Sequence, residues 1–317
     1  MSKQPLFEIK NLKRYFPAKG GKTVKAVDDV TFDIFPGETF SLVGESGCGK
    51  TTCGRTILGV YPKTSGSILY EGQETAEMSK AQLRQFRRRN QMIFQDPYSC
   101  LDPRMTIGTI IQEGMNVHFK RTPAERNEKV TELLFKVGLT ADFASRFPHE
   151  LSGGQRQRIG IARALAMEPD FIVCDEPIAA LDVSIQAQVL NLFNRLQRQH
   201  NLTYIFISHD LGVIKHVSDR IAIMYLGRVV ELCRAAQIYE NPLHPYTKAL
   251  LSAIPPESPF QKKERIVLKG EIPSPIGDQV GCPLAGRCPN CTERCTREIP
   301  TLQDIGDGHQ VACFLYH

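Results

Sequence analysis

The chain has 317 residues, of which 42% are hydrophobic and 23% charged, with a formal net charge of +5 at pH 7. That is ordinary globular composition, enough for one large domain with an appendage or for two domains. The modest positive charge suits an anionic ligand or a membrane surface and demands neither. The opening MSKQPLFEIK has no long apolar core followed by a small-residue cleavage site, so no secretory signal is expected. The apolar runs fall well short of the roughly 18–20 residues of a membrane-spanning helix. A cytoplasmic chain is expected, in which structural disulfides are rare.

In chain order, short apolar or β-branched runs predict strands at 6–10, 31–35, 39–44, 67–70, 91–95, 171–175, 204–208 and 221–225. Several lack polar alternation, as strands buried on both faces of a largely parallel sheet do. Residues 96–150 show no convincing strand, so a helical insertion is expected there. Thr-Pro opens a helical pattern over 122–139, and an aspartate cap opens another over 182–199 with Ile185, Val189, Leu192, Phe193 and Leu196 on one face. Beyond about residue 254 the chain turns rich in Pro, Gly and charge, which predicts a linker and a small C-terminal module. The fold class is therefore α/β, divided as 1–254, with a helical part at about 96–168, and 255–317.

GESGCGKT at 44–51 fits G-x-x-x-x-G-K-[ST], with a strand before it and a helix after it. Gly44, Gly47 and Gly49 let the loop curl so that backbone N–H groups face phosphate oxygens at a helix N-terminus. Lys50 neutralises β/γ-phosphate charge and the Thr51 hydroxyl ligates Mg²⁺. Glu45, Ser46, Cys48 and Thr52 complete the expected binding stretch. At 171–177, FIVCDEP ends a strand in two carboxylates: Asp175 approaches Mg²⁺ and Glu176 polarises an attacking water. A glycine-rich turn or an acidic loop explains either motif alone, but together they point to NTP hydrolysis. LSGGQRQR at 151–158 places Ser152, Gly153, Gly154 and Gln155 at a second helix N-terminus.

With that last motif the sequence resembles the ATP-binding subunits of ABC transporters, whose signature is LSGGQ, over about residues 6–250. The resemblance carries a P-loop core with an antiparallel β subdomain and a helical signature subdomain. It also carries the roles of Gln95 in FQDP as Q-loop and Mg²⁺ contact, Asp182 in AALD as D-loop, and His209 in ISHD as switch histidine. Phe16 lies where the family stacks a ring on adenine, with Tyr15 the alternative. It further implies a head-to-tail pair, in which Ser152, Gly153, Gly154 and Gln155 serve the partner's nucleotide. SCLDPRMTIG, EPIAALDVSIQAQVLNL and NPLHPYTKALLSAIP narrow the likeness to the dipeptide/oligopeptide/nickel importer branch, of the DppF/OppF type. The implied partners are a second ATPase, a DppD/OppD-like chain, two membrane permease subunits met by the segment from Gln95 to about His118, and, indirectly, an extracytoplasmic binding protein. The implied place is the cytoplasmic face of the inner membrane, peripherally attached. A soluble ABC ATPase acting on nucleic acid or ribosomes is the other reading; the single phosphate loop and the short insertion speak against it, and no nucleic-acid partner is expected.

Half of the ten cysteines fall in the last 36 residues: Cys282, Cys288, Cys291, Cys295 and Cys313. Cys288-Pro-Asn-Cys291 reads as half a zinc knuckle, but its second pair is missing. The branch instead shows a C-x5-C-x6-C…C pattern that can hold a [4Fe–4S] cluster. By that likeness Cys282, Cys288, Cys295 and Cys313 are the ligands and Cys291 is the extra thiol, with zinc as the alternative cofactor.

Overall fold

Every run read as a strand overlaps one, though the run at 91–95 leaves its strand after Ile93. A computed structural model of the chain describes residues 4–96, 98–255, 264–277 and 279–316. Its strands are β1 (Phe7–Pro17), β2 (Thr23–Ile34), β3 (Thr39–Val43), β4 (Ser65–Tyr70), β5 (Gln73–Glu74), β6 (Asn90–Ile93), β7 (Phe171–Asp175), β8 (Thr203–Ser208), β9 (Arg220–Tyr225), β10 (Arg228–Arg234), β11 (Gln303–Asp304) and β12 (Gln310–Val311). The chain forms two compact units, residues 1–76 with 208–317, and residues 77–207.

In the first unit, β1 and β2 pair antiparallel in a sheet of order β2-β1-β4-β5. A second sheet there runs β11-β12-β10-β9-β3, with β3 and β9 parallel and the remaining pairs antiparallel. β3 is buried along its whole length, including Ser41, whose hydroxyl pairs with that of Ser218 at 2.6 Å. Phe32 of β2 stacks on Phe40 of β3 with ring centroids 4.6 Å apart.

The strand expected least is β10, whose RVVELCR carries an acid in mid-strand. Glu231 is fully buried yet satisfied: it accepts from the backbone N–H of Leu243 at 2.8 Å and of His244 at 3.0 Å. His309 Nε2 lies 2.8 Å from the same carboxylate. These partners come from beyond β10, so one carboxylate ties two later segments to the sheet. The Pro/Gly-rich tail is also stitched to this unit. Ile276 bridges Val24, Gly277 N–H donates to Thr23 O, and β12 pairs with β10. Residues 256–263, most of the expected linker, lie outside the described residues.

In the second unit β8, β7 and β6 run parallel in that order. The helices Ile107–His118 and Pro123–Lys136 occupy the stretch without strands. Thr122 caps the second of these in a capping box with Glu125, and Pro123 sits at its first turn, as Thr-Pro predicts. Helix Val183–His200 buries Val189, Leu192, Phe193 and Leu196. Phe193 meets Tyr204 and Phe206 of β8 edge-on at 5.6 and 5.7 Å.

Burial raises the pKa of Glu231, but its donors, His309 foremost, outweigh that and hold it below the usual glutamate value. Its stabilisation is therefore full above about pH 4.5 and fades as the pH falls through the lower folded value. Glu231→Ala strands two buried N–H groups and His309, and is expected to cost about 3 kcal/mol. Thermal melts of the variant at pH 7 and pH 4 check both statements: the gap between variant and parent narrows in acid.

Candidate active site

In the first unit the phosphate-loop motif closes β3 and leads into the helix Lys50–Ile57, which has Gly49 as its N-cap at φ 105°. A Cβ at Gly49 would stand 2.0 Å from the Ala26 carbonyl oxygen, and one at Gly44 would stand 2.2 Å from that of Met224. Both contacts are with backbone that cannot step aside, so only glycine fits. Cys48 O accepts from Gly227 N–H at 2.9 Å, which fixes the loop to the turn between β9 and β10. Lys50 is 4% exposed, and its ammonium donates to Gly44 O at 2.7 Å and Glu45 O at 3.0 Å. A buried ammonium needs such acceptors, and its third contact, with Cys48 Sγ at 3.9 Å, is a weak one that an anion can replace. Ser46 and Gly47 are exposed, while Thr51 and Thr52 are half-buried on the first helical turn. Burial raises the thiol of Cys48, and pushes that of Cys53 up to about 12, so neither is primed as a nucleophile.

Tyr15 and Phe16 are neighbours on β1 and so face opposite ways. The Tyr15 hydroxyl donates to Asp28, which also pairs with Arg228. Phe16 meets Tyr61 edge-on at 5.5 Å, with the Arg14 guanidinium 4.2 Å from its ring centre. The network occupies the Tyr15 hydroxyl, and although the Lys25 ammonium lies 5.6 Å from the Tyr15 ring centre, Phe16 is the ring of the two with both an aromatic and a cationic neighbour. His209 follows the end of β8 and is exposed; next to it, Asp210 caps the short helix Leu211–Ile214.

In the second unit Asp175 ends β7 with no exposed surface. Glu176 turns out of the strand at φ 44°, and its N–H donates to Ile207 O at 3.1 Å. Gln95 Nε2 donates to Glu176 Oε2 at 2.9 Å, so two residues 81 positions apart are in direct contact. No local pattern announces that contact. Ser152 caps the helix Gly153–Leu165, its hydroxyl accepting from Gln155 N–H while Gln155 Oε1 accepts from Ser152 N–H. The signature is thus also a capping box. A Cβ at Gly153 would meet only Leu181 Cδ2 at 3.8 Å, so packing within the chain does not demand glycine there. Asp182 caps Val183–His200, accepting from Ile185 N–H at 3.0 Å.

Cys282, Cys288, Cys295 and Cys313 line one small pocket together with His244, and the exposed Cys291 is not among its walls. Cys282 N–H donates to Cys295 O at 2.7 Å. Burial pushes the Cys282 thiol up to about 11 and raises Cys288 and Cys313 as well. All ten cysteines are free thiols. Among the described residues, however, no group of three or more His, Cys, Asp or Glu side chains stands at metal-ligating spacing. The expected four thiols are therefore gathered on one pocket without forming a finished metal cage.

An ABC transporter family model matches residues 27–179, and a model of the oligopeptide/dipeptide transporter C-terminal region matches 230–295. The chain is 52% identical to the oligopeptide transport ATP-binding protein AppF of Bacillus subtilis, covering 99% of this chain and 98% of that one. It is 57% identical to the oligopeptide transport ATP-binding protein OppF of the same organism, over 83% of this chain and 87% of that one. A putative peptide import ATP-binding protein of Brucella ovis is 49% identical over 99% and 98%. Among solved structures, cbiO1 of Clostridium perfringens superposes with a TM-score of 0.66 at 25% identity, covering 75% of this chain and 92% of that one. An ATP-binding cassette solved as a dimer with ADP and phosphate matches with a TM-score of 0.65 at 28% identity, over 72% and 98%. The class is therefore the P-loop ATPase of ABC transporters. Within it, the chain belongs to the ATP-binding subunits of the oligopeptide/dipeptide ABC transporter family, ATPases coupled to transport that work with permeases and a second ATPase. The relatives favour the transport reading over a nucleic-acid one.

Proposed function

We propose that the chain is the ATP-hydrolysing motor of a binding-protein-dependent importer of di- and oligopeptides. Carrying this reading is the near-full-length likeness to oligopeptide transport ATP-binding proteins, which runs through the C-terminal region. The assembly we propose pairs the chain head-to-tail with a different, DppD/OppD-like ATPase beneath two permease subunits, at the cytoplasmic face of the membrane. Among the described residues no helix is long and apolar enough to cross a membrane, which agrees with peripheral attachment. Residues from Gln95 to about His118 are the proposed permease contact; Tyr98 and Val117 offer apolar surface there, 58% and 61% exposed.

In the proposed chemistry Lys50 meets the β- and γ-phosphates with its ammonium, while loop N–H groups between Ser46 and Thr52 orient them. Phe16 stacks on the base. Thr51, Gln95 and Asp175 offer oxygen donors of the hard kind Mg²⁺ prefers. When bound, Mg²⁺ supplies charge neutralisation of the phosphates. Glu176 takes the proton of the attacking water, and its hydrogen bond to Gln95 supports the role by fixing the carboxylate. His209 holds the γ-phosphate side. Ser152, Gly153, Gly154 and Gln155 serve the nucleotide of the partner ATPase, and Asp182 lies at the pair's interface. The tolerance of Gly153 for a Cβ within its own chain supports that outward role.

The variants separate these roles in ATPase assays of the assembled complex. Glu176→Gln is expected to retain ATP binding and lose roughly 10²- to 10⁴-fold in turnover, the size of a general-base contribution. Lys50→Ala loses binding as well. Gly153→Ala leaves the melting temperature of the chain unchanged and impairs turnover. Parental turnover from Glu176→Gln would remove it from the role of base.

The C-terminal cysteines form the finer part of the proposal. Convergence of Cys282, Cys288, Cys295 and Cys313 on one pocket, with Cys291 outside it, supports these four as the ligands of a [4Fe–4S] cluster. Such a cluster would cross-link a segment poor in apolar residues. Anaerobic purification is expected to give brown protein with about four irons and broad absorption near about 400 nm. Cys288→Ser bleaches it and Cys291→Ser does not. Colourless protein with one stoichiometric zinc decides for zinc; neither metal removes the site.

A further inference from the structure

Two residues of the C-terminal region at 230–295 reach the phosphate loop, and both meet Glu45. Glu45, second in the loop, donates its backbone N–H to the Tyr246 hydroxyl at 2.8 Å. Its carboxylate accepts from Arg287 at 3.1 Å, and its carbonyl accepts from Lys50 at 3.0 Å. Tyr246 belongs to the helix Pro245–Ser252, is fully buried, and packs against Tyr225 with ring centroids 4.7 Å apart. Arg287 sits one residue before Cys288, and its guanidinium also reaches the Tyr225 hydroxyl at 3.3 Å. The Arg287 side chain is 10% exposed and that of Glu45 31%. Both are therefore partly shielded from the water that would screen them.

The charge arithmetic gives this pair its meaning. A loop that receives a triphosphate carries a carboxylate at its second position, and like charges at short range disfavour one another. No step of the proposed hydrolysis uses the Glu45 side chain. We propose that Arg287 and Tyr246 are positioning residues for the phosphate loop: Arg287 cancels the Glu45 charge, and Tyr246 fixes the peptide that presents its carbonyl to Lys50. ATP affinity is thereby set by the C-terminal region at 230–295, through contacts 242 and 201 residues away in sequence. Neither residue touches the nucleotide. The proposal rests on the reading of 44–51 as the nucleotide loop.

Equilibrium titration of the full chain with a fluorescent ATP analogue tests it. Arg287→Gln is expected to weaken binding roughly five- to tenfold at low salt and less at high salt, the size of one incompletely screened charge. Arg287→Lys keeps the charge and stays within about twofold of the parent, which excludes a folding defect as the cause. The decisive arm is coupling: in a Glu45→Gln background, Arg287→Gln changes affinity by less than about twofold, because no charge is left to cancel. Tyr246→Phe, which keeps the ring packing, weakens binding about threefold without the salt dependence. An equal loss from Arg287→Gln in both backgrounds, or no loss in either, overturns the proposal. Lys50→Ala is the control for the underlying reading. If it binds like the parent, the loop assignment itself fails; if it loses binding while Arg287→Gln does not, only the positioning role fails.

Discussion

No Cβ fits at Gly44 or Gly49, because the carbonyl oxygens of Met224 and Ala26 already occupy those places. The first unit is arranged around that constraint. β2 supplies Ala26, the end of β9 supplies Met224, and the turn after β9 holds Cys48 O through Gly227 N–H. The loop is clamped on two sides by backbone, which neither rotates nor retreats as a side chain would. What remains movable is the Lys50 ammonium, held by two loop carbonyls that a phosphate can replace. A rigid cradle with one adaptable cation is what phosphoryl chemistry by positioning requires.

The second unit solves a different problem, bringing carboxylates to the end of a strand that is otherwise wholly apolar. β7 is buried throughout, and Asp175 shares that burial. Glu176 escapes it by taking a left-handed backbone conformation at φ 44°, at a cost of roughly 1 kcal/mol, steadied by its N–H bond to Ile207 O. Strain of that kind at the residue proposed as base accords with function outranking local preference. The signature segment does double service: Ser152 and Gln155 close a helix end, and of the two glycines between them Gly153 has room for a Cβ, whereas one at Gly154 would stand 2.6 Å from Ile185 Cγ2.

Much of this was legible in the sequence wherever the determinant was local. β7 and β8 read as strands because burial on both faces leaves their interiors apolar, and β3 does so although Ser41 sits at its centre, where Ser218 Oγ satisfies it at 2.6 Å. The helices at 123 and 183 start at Thr122 and Asp182 because the capping residue itself is the signal. β10 was not legible. Its buried Glu231 looks like a loop residue until Leu243, His244 and His309 arrive from elsewhere to satisfy it. The same holds for Ile276 beside Val24, for Gln95 on Glu176, and for Arg287 on Glu45. Composition marks a change of texture near residue 254 but carries no information on what the tail pairs with. The cysteine spacing picked out the four thiols that share a pocket; it did not show that, among the described residues, no such group stands at metal-ligating spacing.

The central claim is that ATP turnover by this chain drives peptides across a membrane. It is tested most directly in proteoliposomes holding the purified complex, loaded with ATP, with labelled peptide and the binding protein supplied outside. The account predicts peptide accumulation that needs internal ATP, together with hydrolysis stimulated by peptide-loaded binding protein. ATP hydrolysis at full rate by the isolated chain, indifferent to permease and peptide and without uptake, would contradict it.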